Sequence, residues 1–123
     1  MDYEGADILD VEPGVYDNVG ILDIKAMYHS NASKYNISWD TLDVEGQDCG
    51  NGTCFTQDTK GLLVRQMDKM TQMRNEFKIK MMVSDGPEKR KWDCMQFAAK
   101  TIVASMYGVC GDAKYGMYHP DIA

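Results

Sequence analysis

Apolar residues recur with a helical period along residues 62–83 of the chain. The intervals are four, three, seven and four residues, at Leu63, Met67, Met70, Phe77 and Met81. This spacing places the five side chains on one face of a helix. Few helix-breaking residues interrupt the stretch, so the pattern predicts a single helix of about 20 residues.

A second helical pattern follows a compact turn, Ser84-Asp85-Gly86-Pro87. It runs from about Glu88 to Tyr107, and Gly108 and Gly111 are expected to end it. Its predicted apolar face consists of Met95, Ala98, Ala99, Ile102 and Met106. Because the connection is short, the two helices should form an antiparallel hairpin.

The first half of the chain has a different pattern. The apolar run Val19-Gly20-Ile21-Leu22 ends in Asp23 and predicts a short strand, and a short helix is expected at residues 31–35. Residues 43–60 follow neither period and are interpreted as a surface excursion. The tail from Asp112 is expected to return to the sheet. A strand segment followed by a helical hairpin predicts an α+β fold.

Asp23 has two possible roles, as a cation ligand or as the cap of a turn. A carboxylate at the end of an apolar strand is expensive to desolvate unless it is paired or binds a cation. Taken alone, the position is explained more simply by an aspartate that caps a turn. The rest of the chain decides between the two.

Charge is distributed unevenly along the chain. Residues 1–60 carry twelve acidic and three basic side chains, whereas residues 61–123 carry seven acidic and ten basic ones. On the predicted hairpin, Arg74 and Lys78 are four residues apart, and Lys100 shares a face with Ala104 and Tyr107. Bases on facing helices can bind several phosphate oxygens, although such a spacing also occurs on solvated faces. The sequence therefore allows a polyanion site on the hairpin of an otherwise acidic chain.

Composition argues against several other classes of protein. No apolar run approaches the about 18 residues of a membrane span, and the acidic start is unlike a signal peptide, so no membrane partner and a cytoplasmic location are expected. Among the four cysteines only Cys49 and Cys54 are close together, as C-x4-C. A zinc module is thus a weaker alternative than ordinary reduced cysteines.

Three motifs, in order, resemble those of family B DNA polymerases. Asp23 to Ser30 reads D-I-K-A-M-Y-H-S and resembles motif A of the palm, D-x-x-S-L-Y-P-S. Arg74 and Lys78 resemble the R-x-x-x-K of the first fingers helix, which opens with Gly61-Leu62-Leu63. Residues 100–108, K-T-I-V-A-S-M-Y-G, resemble motif B, K-x-x-x-N-S-x-Y-G, with Gln96 four residues before its lysine. Asn36-Ile37-Ser38 with Thr41 also resembles the N-I-S-x-x-T that follows motif A. The resemblance covers roughly residues 13 to 120.

The resemblance implies a role for individual residues. Asp23 and the backbone carbonyl of Ile24 would bind the Mg²⁺ ions of a two-metal site, and Lys100 would act with Asp23 in catalysis as proton donor to pyrophosphate. Tyr28 would stack under the sugar and exclude a 2′-hydroxyl. The nucleotide-binding residues implied are Ala26, Met27, Tyr28, Arg74, Lys78, Lys100, Ala104, Tyr107 and Gly108.

The sequence departs from the family pattern at four of these motif positions. Ala26 replaces the serine of motif A, Met27 its leucine and His29 its proline, and Ala104 replaces the asparagine of motif B. These changes remove polar contacts near the nucleotide and loosen the turn after Tyr28, but they leave the metal ligand and the phosphate-binding cations in place. They indicate a divergent, viral or archaeal-like member.

Motif C of the family, Y-G-D-T-D-S, has no counterpart in this sequence. A two-metal site with one of its two aspartates is incomplete. The expected partners are therefore a dNTP, primer-template DNA and a second polypeptide that carries motif C and the thumb, and the isolated chain is expected to be inactive. Three origins fit such a segment: a subunit of a split enzyme, a fragment of an interrupted or intein-bearing gene, or a truncated reading frame.

The resemblance implies a partial palm at residues 1–60, a fingers hairpin at 61–108 and a return segment toward the palm at 109–123. The complete enzyme would be a DNA-directed DNA polymerase. The alternative is a non-catalytic relic of a polymerase that binds a nucleotide or a protein partner.

Overall fold

The computed structural model describes residues 9–122, so the first part of the acidic start, residues 1–8, lies outside the described residues. The elements, in chain order, are helix α1 (Met27–Tyr35), a 3-10 turn (Trp39–Thr41), strands β1 (Leu42–Asp48) and β2 (Cys54–Phe55), and helices α2 (Leu62–Met82) and α3 (Gly86–Gly111). The α+β fold class is confirmed. None of the helices within the described range is long and apolar enough to cross a membrane.

Helices α2 and α3 form the antiparallel hairpin that the sequence predicts. The bounds of α2 agree with the prediction within a residue. Helix α3 begins two residues earlier than expected, because Pro87 occupies a position in its first turn where a missing N–H does no harm. It also continues through Gly108 to Gly111, and a glycine in open space within a helix is tolerated at a modest loss of stability.

A small core lies where α1, β2, α2 and the tail meet. The fully buried side chains of Phe55, Val64 and Met67 fill its centre. Around them pack Ala32, Leu63, Cys110 and Ile122. The predicted apolar stripe of α2 is therefore confirmed at its N-terminal end, and it becomes only half-buried toward Phe77 and Met81.

The predicted apolar face of α3 is partly wrong. Ala98 and Ile102 are exposed, whereas Ala99 is buried and Val103 and Met106 pack against the core. The residues that meet the core are Ala99, Val103, Met106 and Cys110, which are spaced by four, three and four. A stripe of that spacing runs along one side of a helix. Both stripes fit the helical period of the sequence, and packing against α2 selects between them.

Residues 42–55 form a β-hairpin, so the segment interpreted as a surface excursion contains regular structure. β1 and β2 are antiparallel, and both Leu42 and Gln47 pair with Phe55, which marks a bulge. Gly46 crosses the backbone of Phe55 so closely that a Cβ atom would not fit. Because most side chains of β1 are exposed, the strand shows no alternation of apolar and polar residues that the sequence could reveal.

The predicted strand at residues 19–23 is absent from the structure. This segment has no regular structure, and Val19, Ile21 and Leu22 are 69%, 89% and 101% exposed. A strand needs a neighbouring backbone to bond with, and within residues 9–122 the only sheet is the β1–β2 pair.

The tail does not join the sheet either. The amide of His119 donates to the carbonyl of Cys110 at 3.0 Å, which folds the tail back on the end of α3. The indole of Trp39 donates to the carbonyl of Met117 at 3.1 Å, and Ile122 enters the core. Residues 112–122 are therefore a packed turn region that connects α3 to the first half of the chain.

Candidate functional site

A tight turn at Lys25 and Ala26 continues into the first two residues of α1, Met27 and Tyr28, and we refer to residues 25–28 together as the turn. Ala26 adopts a left-handed conformation, with φ 51° and ψ 48°. Its carbonyl accepts the amide of Ser30 at 2.9 Å, and the carbonyl of Lys25 accepts the Ser30 hydroxyl at 3.1 Å. Left-handed backbone is unfavourable for a residue with a Cβ atom. The turn is therefore held by local hydrogen bonds and by the contacts of α1.

The basic residues of the hairpin lie opposite this turn. Arg74 and Lys78 of α2 are half-buried, and Lys100 of α3 is exposed. The Nε of Arg74 donates to Oε1 of Gln96 at 3.4 Å, and Nε2 of Gln96 donates to Asp93 at 2.9 Å. Gln96, which sequence reasoning identified only through its spacing to Lys100, thus links the two helices and orients the guanidinium.

The turn and the basic face enclose one cavity of about 400 Å³. Seven of the residues implied by the motifs line it: Ala26, Met27, Tyr28, Arg74, Lys78, Lys100 and Ala104. Lys25 and His29 add two further basic side chains, and the remaining lining residues are Thr71, Asn75 and Val103. A cavity of this size fits a nucleotide-sized ligand. Since its lining includes four Lys or Arg side chains and no carboxylate, the cavity favours an anion.

Tyr28 separates this cavity from a second one. Its ring stacks on that of Tyr107, with the centroids 4.3 Å apart and an interplanar angle of 15°. Both rings also line an apolar cavity of about 240 Å³ on the core side. The structure therefore brings the aromatic residues of motifs A and B into direct contact. Gly108 is exposed and lines neither cavity.

Asp23 and Ile24 are exposed and lie outside the lining of the 400 Å³ cavity. Within residues 9–122, no three His, Cys, Asp or Glu side chains come together in a group that could hold a metal ion. Asp23 and a backbone carbonyl offer oxygen ligands suited to Mg²⁺, but two ligands do not make a closed site. The described residues thus fit a Mg²⁺ site only in part.

The start of α2 is capped by the segment that follows α1. Asn36 Oδ1 accepts the amide of Gly61 at 2.8 Å, and Asp40 Oδ1 accepts that of Leu62 at 2.9 Å. The hydroxyl oxygen of Ser38 accepts the amide of Leu63 at 3.1 Å and donates to Asp40. Three amides that lack partners within the helix are satisfied in this way. We call Asn36, Ser38 and Asp40 the cap cluster.

The cap cluster explains the Asn36-Ile37-Ser38 signature, for which the sequence suggested no role. The hydrogen bond from Ser38, followed by that from the amide of Leu62, lowers the pKa of Asp40 below its usual value. The charged carboxylate also suits the positive end of the helix dipole. The cluster fixes the base of the hairpin, and with it the height of Arg74 and Lys78 above the turn.

An ion-pair cluster joins α1 to α2. Nε2 of His29 lies 2.7 Å from Oδ1 of Asp68, and the other oxygen of Asp68 pairs with Lys60. Burial raises the pKa of Asp68, but the hydrogen bonds and charges of Lys60 and His29 together lower it by more. The carboxylate is therefore ionised at neutral pH. The sequence did not point to Asp68 and Lys60, because neither belongs to a motif and Asp68 is 39 positions from His29.

Comparison with known proteins adds an independent finding. The family model for DNA polymerase family B matches residues 1–123. The chain is similar to a DNA polymerase of Thermococcus sp. (strain 9oN-7), 32% identical over 98% of this chain. It is also similar to DNA polymerase 1 of Sulfolobus acidocaldarius, 30% identical over 98% of this chain.

DNA polymerase 1 of Sulfurisphaera ohwakuensis is 28% identical over the same share. The matched regions make up 15%, 16% and 15% of the Sulfurisphaera, Thermococcus and Sulfolobus proteins, so the chain spans about one sixth of their length. A match of the family model along the whole sequence decides the classification. The chain belongs to DNA polymerase family B and corresponds to a segment of such a polymerase.

Proposed function

We propose that the chain is the palm–fingers segment of a DNA-directed DNA polymerase and that its 400 Å³ cavity binds the triphosphate of a dNTP. In this proposal, residues 1–60 are a partial palm, residues 61–108 are the fingers hairpin and residues 109–123 return toward the palm. The reaction of the complete enzyme is attack of a primer 3′-hydroxyl on the α-phosphate of a dNTP, directed by a template strand.

One observation carries the proposal: the turn at Ala26–Tyr28 and the cations of α2 and α3 face the same cavity. A triphosphate carries several negative charges on oxygens that accept hydrogen bonds. Arg74 can contact two of these oxygens at once, whereas Lys78 and Lys100 act as mobile point charges. Backbone amides of the turn would hold the same oxygens from the opposite side.

The proposed steps use this chain's own groups. Lys100 neutralises charge on the leaving pyrophosphate and donates a proton to it. Tyr28 supports the sugar and leaves no room for a 2′-hydroxyl, and Tyr107 contacts the minor-groove side of the new base pair, beside Gly108. In the structure the two tyrosine rings stack on each other, so a base pair at this position would have to separate or slide them.

Polymerases of this family generally use Mg²⁺, which would neutralise negative charge on the phosphate oxygens of a bound dNTP. In this chain Asp23 and the carbonyl of Ile24 would hold this ion. Among residues 9–122 these two groups do not complete a metal site, and a further carboxylate would be needed. We propose that a second polypeptide with motif C and the thumb supplies it and that primer-template DNA binds to the joined assembly.

Calorimetric titration with dATP and Mg²⁺ tests the cavity. Arg74→Ala and Lys100→Ala should each weaken binding by about tenfold or more, because each removes charge-assisted hydrogen bonds. The matched control is Lys89→Ala, an exposed base of α3 that does not line the cavity. Equal loss in the control, or no loss in the two cavity variants, would contradict the proposal.

Primer extension tests the proposed polymerase activity and the need for a second polypeptide. Activity is expected only when the chain is combined with a polypeptide that carries motif C, and Asp23→Ala should abolish it. Asp17→Ala removes an exposed acid six residues earlier and should leave extension unchanged. Extension by the chain alone would refute the need for a second polypeptide. Tyr28→Ala should raise the use of ATP relative to dATP in the joined enzyme.

The second candidate function is a non-catalytic nucleotide-binding relic of a polymerase. It is favoured by the exposed position of Asp23 outside the cavity and by Ala26 and Ala104, which offer no side-chain polar contact to a nucleotide. Binding of dATP that depends on Lys100, with no extension in the joined assembly, would decide for the relic.

A further inference from the structure

His29 occupies an unusual position beside the cavity. It follows Tyr28 directly, lines the cavity, and its side chain is only 17% exposed. Its Nε2 is 2.7 Å from Asp68, a residue of the first half of α2. Among residues 9–122 this is the only hydrogen bond that joins the side chains of α1 and α2.

Local hydrogen bonds from Ser30 and the stacking of Tyr28 on Tyr107 also hold the turn, but neither reaches α2. The chain that leads into the turn, from residue 9 to residue 25, is exposed throughout, so no packing holds the turn from that side. Helix α1 buries a single side chain, Ala32, which lies a full turn further on. Ala26 itself is in left-handed backbone, which an alanine does not favour. The first turn of α1 therefore needs a tether to stay against α2.

We propose that His29 is a positioning residue: with Asp68 and Lys60 it forms a latch that holds residues 26–28 against α2 at the wall of the cavity. Asp68 is suited to this role because it has both partners at once, Lys60 on one oxygen and His29 on the other. Lys60 keeps the carboxylate charged and oriented while the imidazole reaches it from α1. The latch rests on the proposed function only where it concerns nucleotide affinity.

The charged residues around the latch explain why His29 pairs with Asp68. Lys25 on the same turn, Arg74 and Lys78 on α2, and Lys100 on α3 are the other charged groups that line the cavity. All four are basic, so none of them can accept a hydrogen bond from the imidazole. The Asp68 carboxylate is the acceptor. Its removal should release the turn even though Asp68 does not line the cavity.

The latch replaces the ring constraint of a proline by a hydrogen bond between two side chains. In motif A the position of His29 is a proline, which restricts the backbone by its own ring. His29 gives the backbone no such restriction, but its side chain is anchored 39 residues away along the sequence. The loosening expected from the sequence is thus offset by a contact that only the folded chain creates.

Hydrogen exchange followed by mass spectrometry tests the latch without any nucleotide. In His29→Ala and in Asp68→Ala, the amides of residues 30–33, the first that bond within α1, should exchange about tenfold faster than in the unmodified chain, because the turn opens locally. The double variant should be no faster than either single one, since both remove the same contact. Glu45→Gln, at an exposed acid of β1 that forms no ion pair within residues 9–122, is the matched control. Additive effects, or unchanged exchange, would overturn the latch.

Titration with dATP and Mg²⁺ then separates the two proposals. We expect dissociation constants about fivefold higher in both single variants and no further increase in the double one. His29→Gln retains a donor and should recover part of the affinity. If Lys100→Ala abolishes binding while both latch variants bind as the unmodified chain does, the positioning role is refuted and the proposed function stands. If the unmodified chain does not bind dATP, the proposed function and the nucleotide role fail together, and coupled exchange alone still supports the latch as a tether of the turn.

Discussion

Gly61 offers a sharp test of how the hairpin is anchored. A Cβ atom at this position would lie 2.5 Å from the Cβ of Ser38, 3.1 Å from its Oγ and 3.2 Å from the Cγ2 of Thr41. Ser38 and Thr41 are 0% and 1% exposed, so neither can move into solvent. In Gly61→Ala, the base of α2 and the cap cluster have to move apart.

The expected loss is about 3 kcal/mol of unfolding free energy. Overpacking a closed site costs about 1–3 kcal/mol. Displacement of Ser38 also weakens its hydrogen bond to Leu63, and a lost helix cap costs about 1 kcal/mol. Backbone conformation contributes little, because φ −61° and ψ 151° are open to alanine. The gain from a stiffer unfolded chain, about 0.4–1 kcal/mol, opposes the loss but does not cancel it.

Urea denaturation followed by far-ultraviolet circular dichroism measures the effect. The midpoint should fall without a change in the slope, and the melting temperature should fall by about 10 °C. Gly116→Ala is the matched control, because its Cβ atom would meet nothing within 4 Å, and its effect should stay within about 0.5 kcal/mol. If Gly61→Ala is as stable as the control, the close approach to Ser38 does not constrain the fold and the reasoning is refuted.

Two further substitutions probe the cap cluster and the turn. The pKa of Asp40 is lowered, so its charged form stabilises the fold above about pH 4, and this contribution is lost as the pH falls further. Asp40→Asn should therefore flatten the acid side of a plot of the urea midpoint against pH. An unchanged plot would contradict the cap. Ala26→Gly removes the Cβ atom from left-handed backbone. The free energy of unfolding should rise by about 1 kcal/mol and the melting temperature by a few degrees. A lower melting temperature would show that the turn is not strained.

The helical hairpin could be predicted from the sequence because its signals are local. Apolar residues recur every three or four positions along α2, and the break at Ser84-Asp85-Gly86-Pro87 separates two uninterrupted helical stretches. The facing bases were likewise predictable, since a spacing of four fixes the face of a helix on which a side chain lies. Of the seven implied nucleotide-binding residues that line the cavity, the four on the hairpin reach it for that reason: Arg74, Lys78, Lys100 and Ala104.

What the sequence did not reveal depends on contacts between distant residues. The bulge of β1 over Phe55 has no periodic signature, because Gly46 has no side chain and the neighbouring side chains face solvent. The apolar run at residues 19–22 has a strand pattern, but a strand forms only where another backbone lies alongside it. The pairing of His29 with Asp68, and of Asn36 with Gly61, joins residues 39 and 25 positions apart, and no local pattern encodes either.

The cap cluster has a mechanical consequence for the cavity. It fixes one end of the hairpin, while the opposite end, at Met82 and Val83, is 74% and 80% exposed and unsupported. At about 1.5 Å per residue, Arg74 and Lys78 lie about 18 Å and 24 Å from Leu62 along α2. A tilt of α2 by about 10° around its N-terminus would therefore move Arg74 by about 3 Å and Lys78 by about 4 Å. A shift of this size is enough to break a hydrogen bond to a phosphate oxygen. The stiffness of three hydrogen bonds at Gly61, Leu62 and Leu63 thus sets how far the cations can travel.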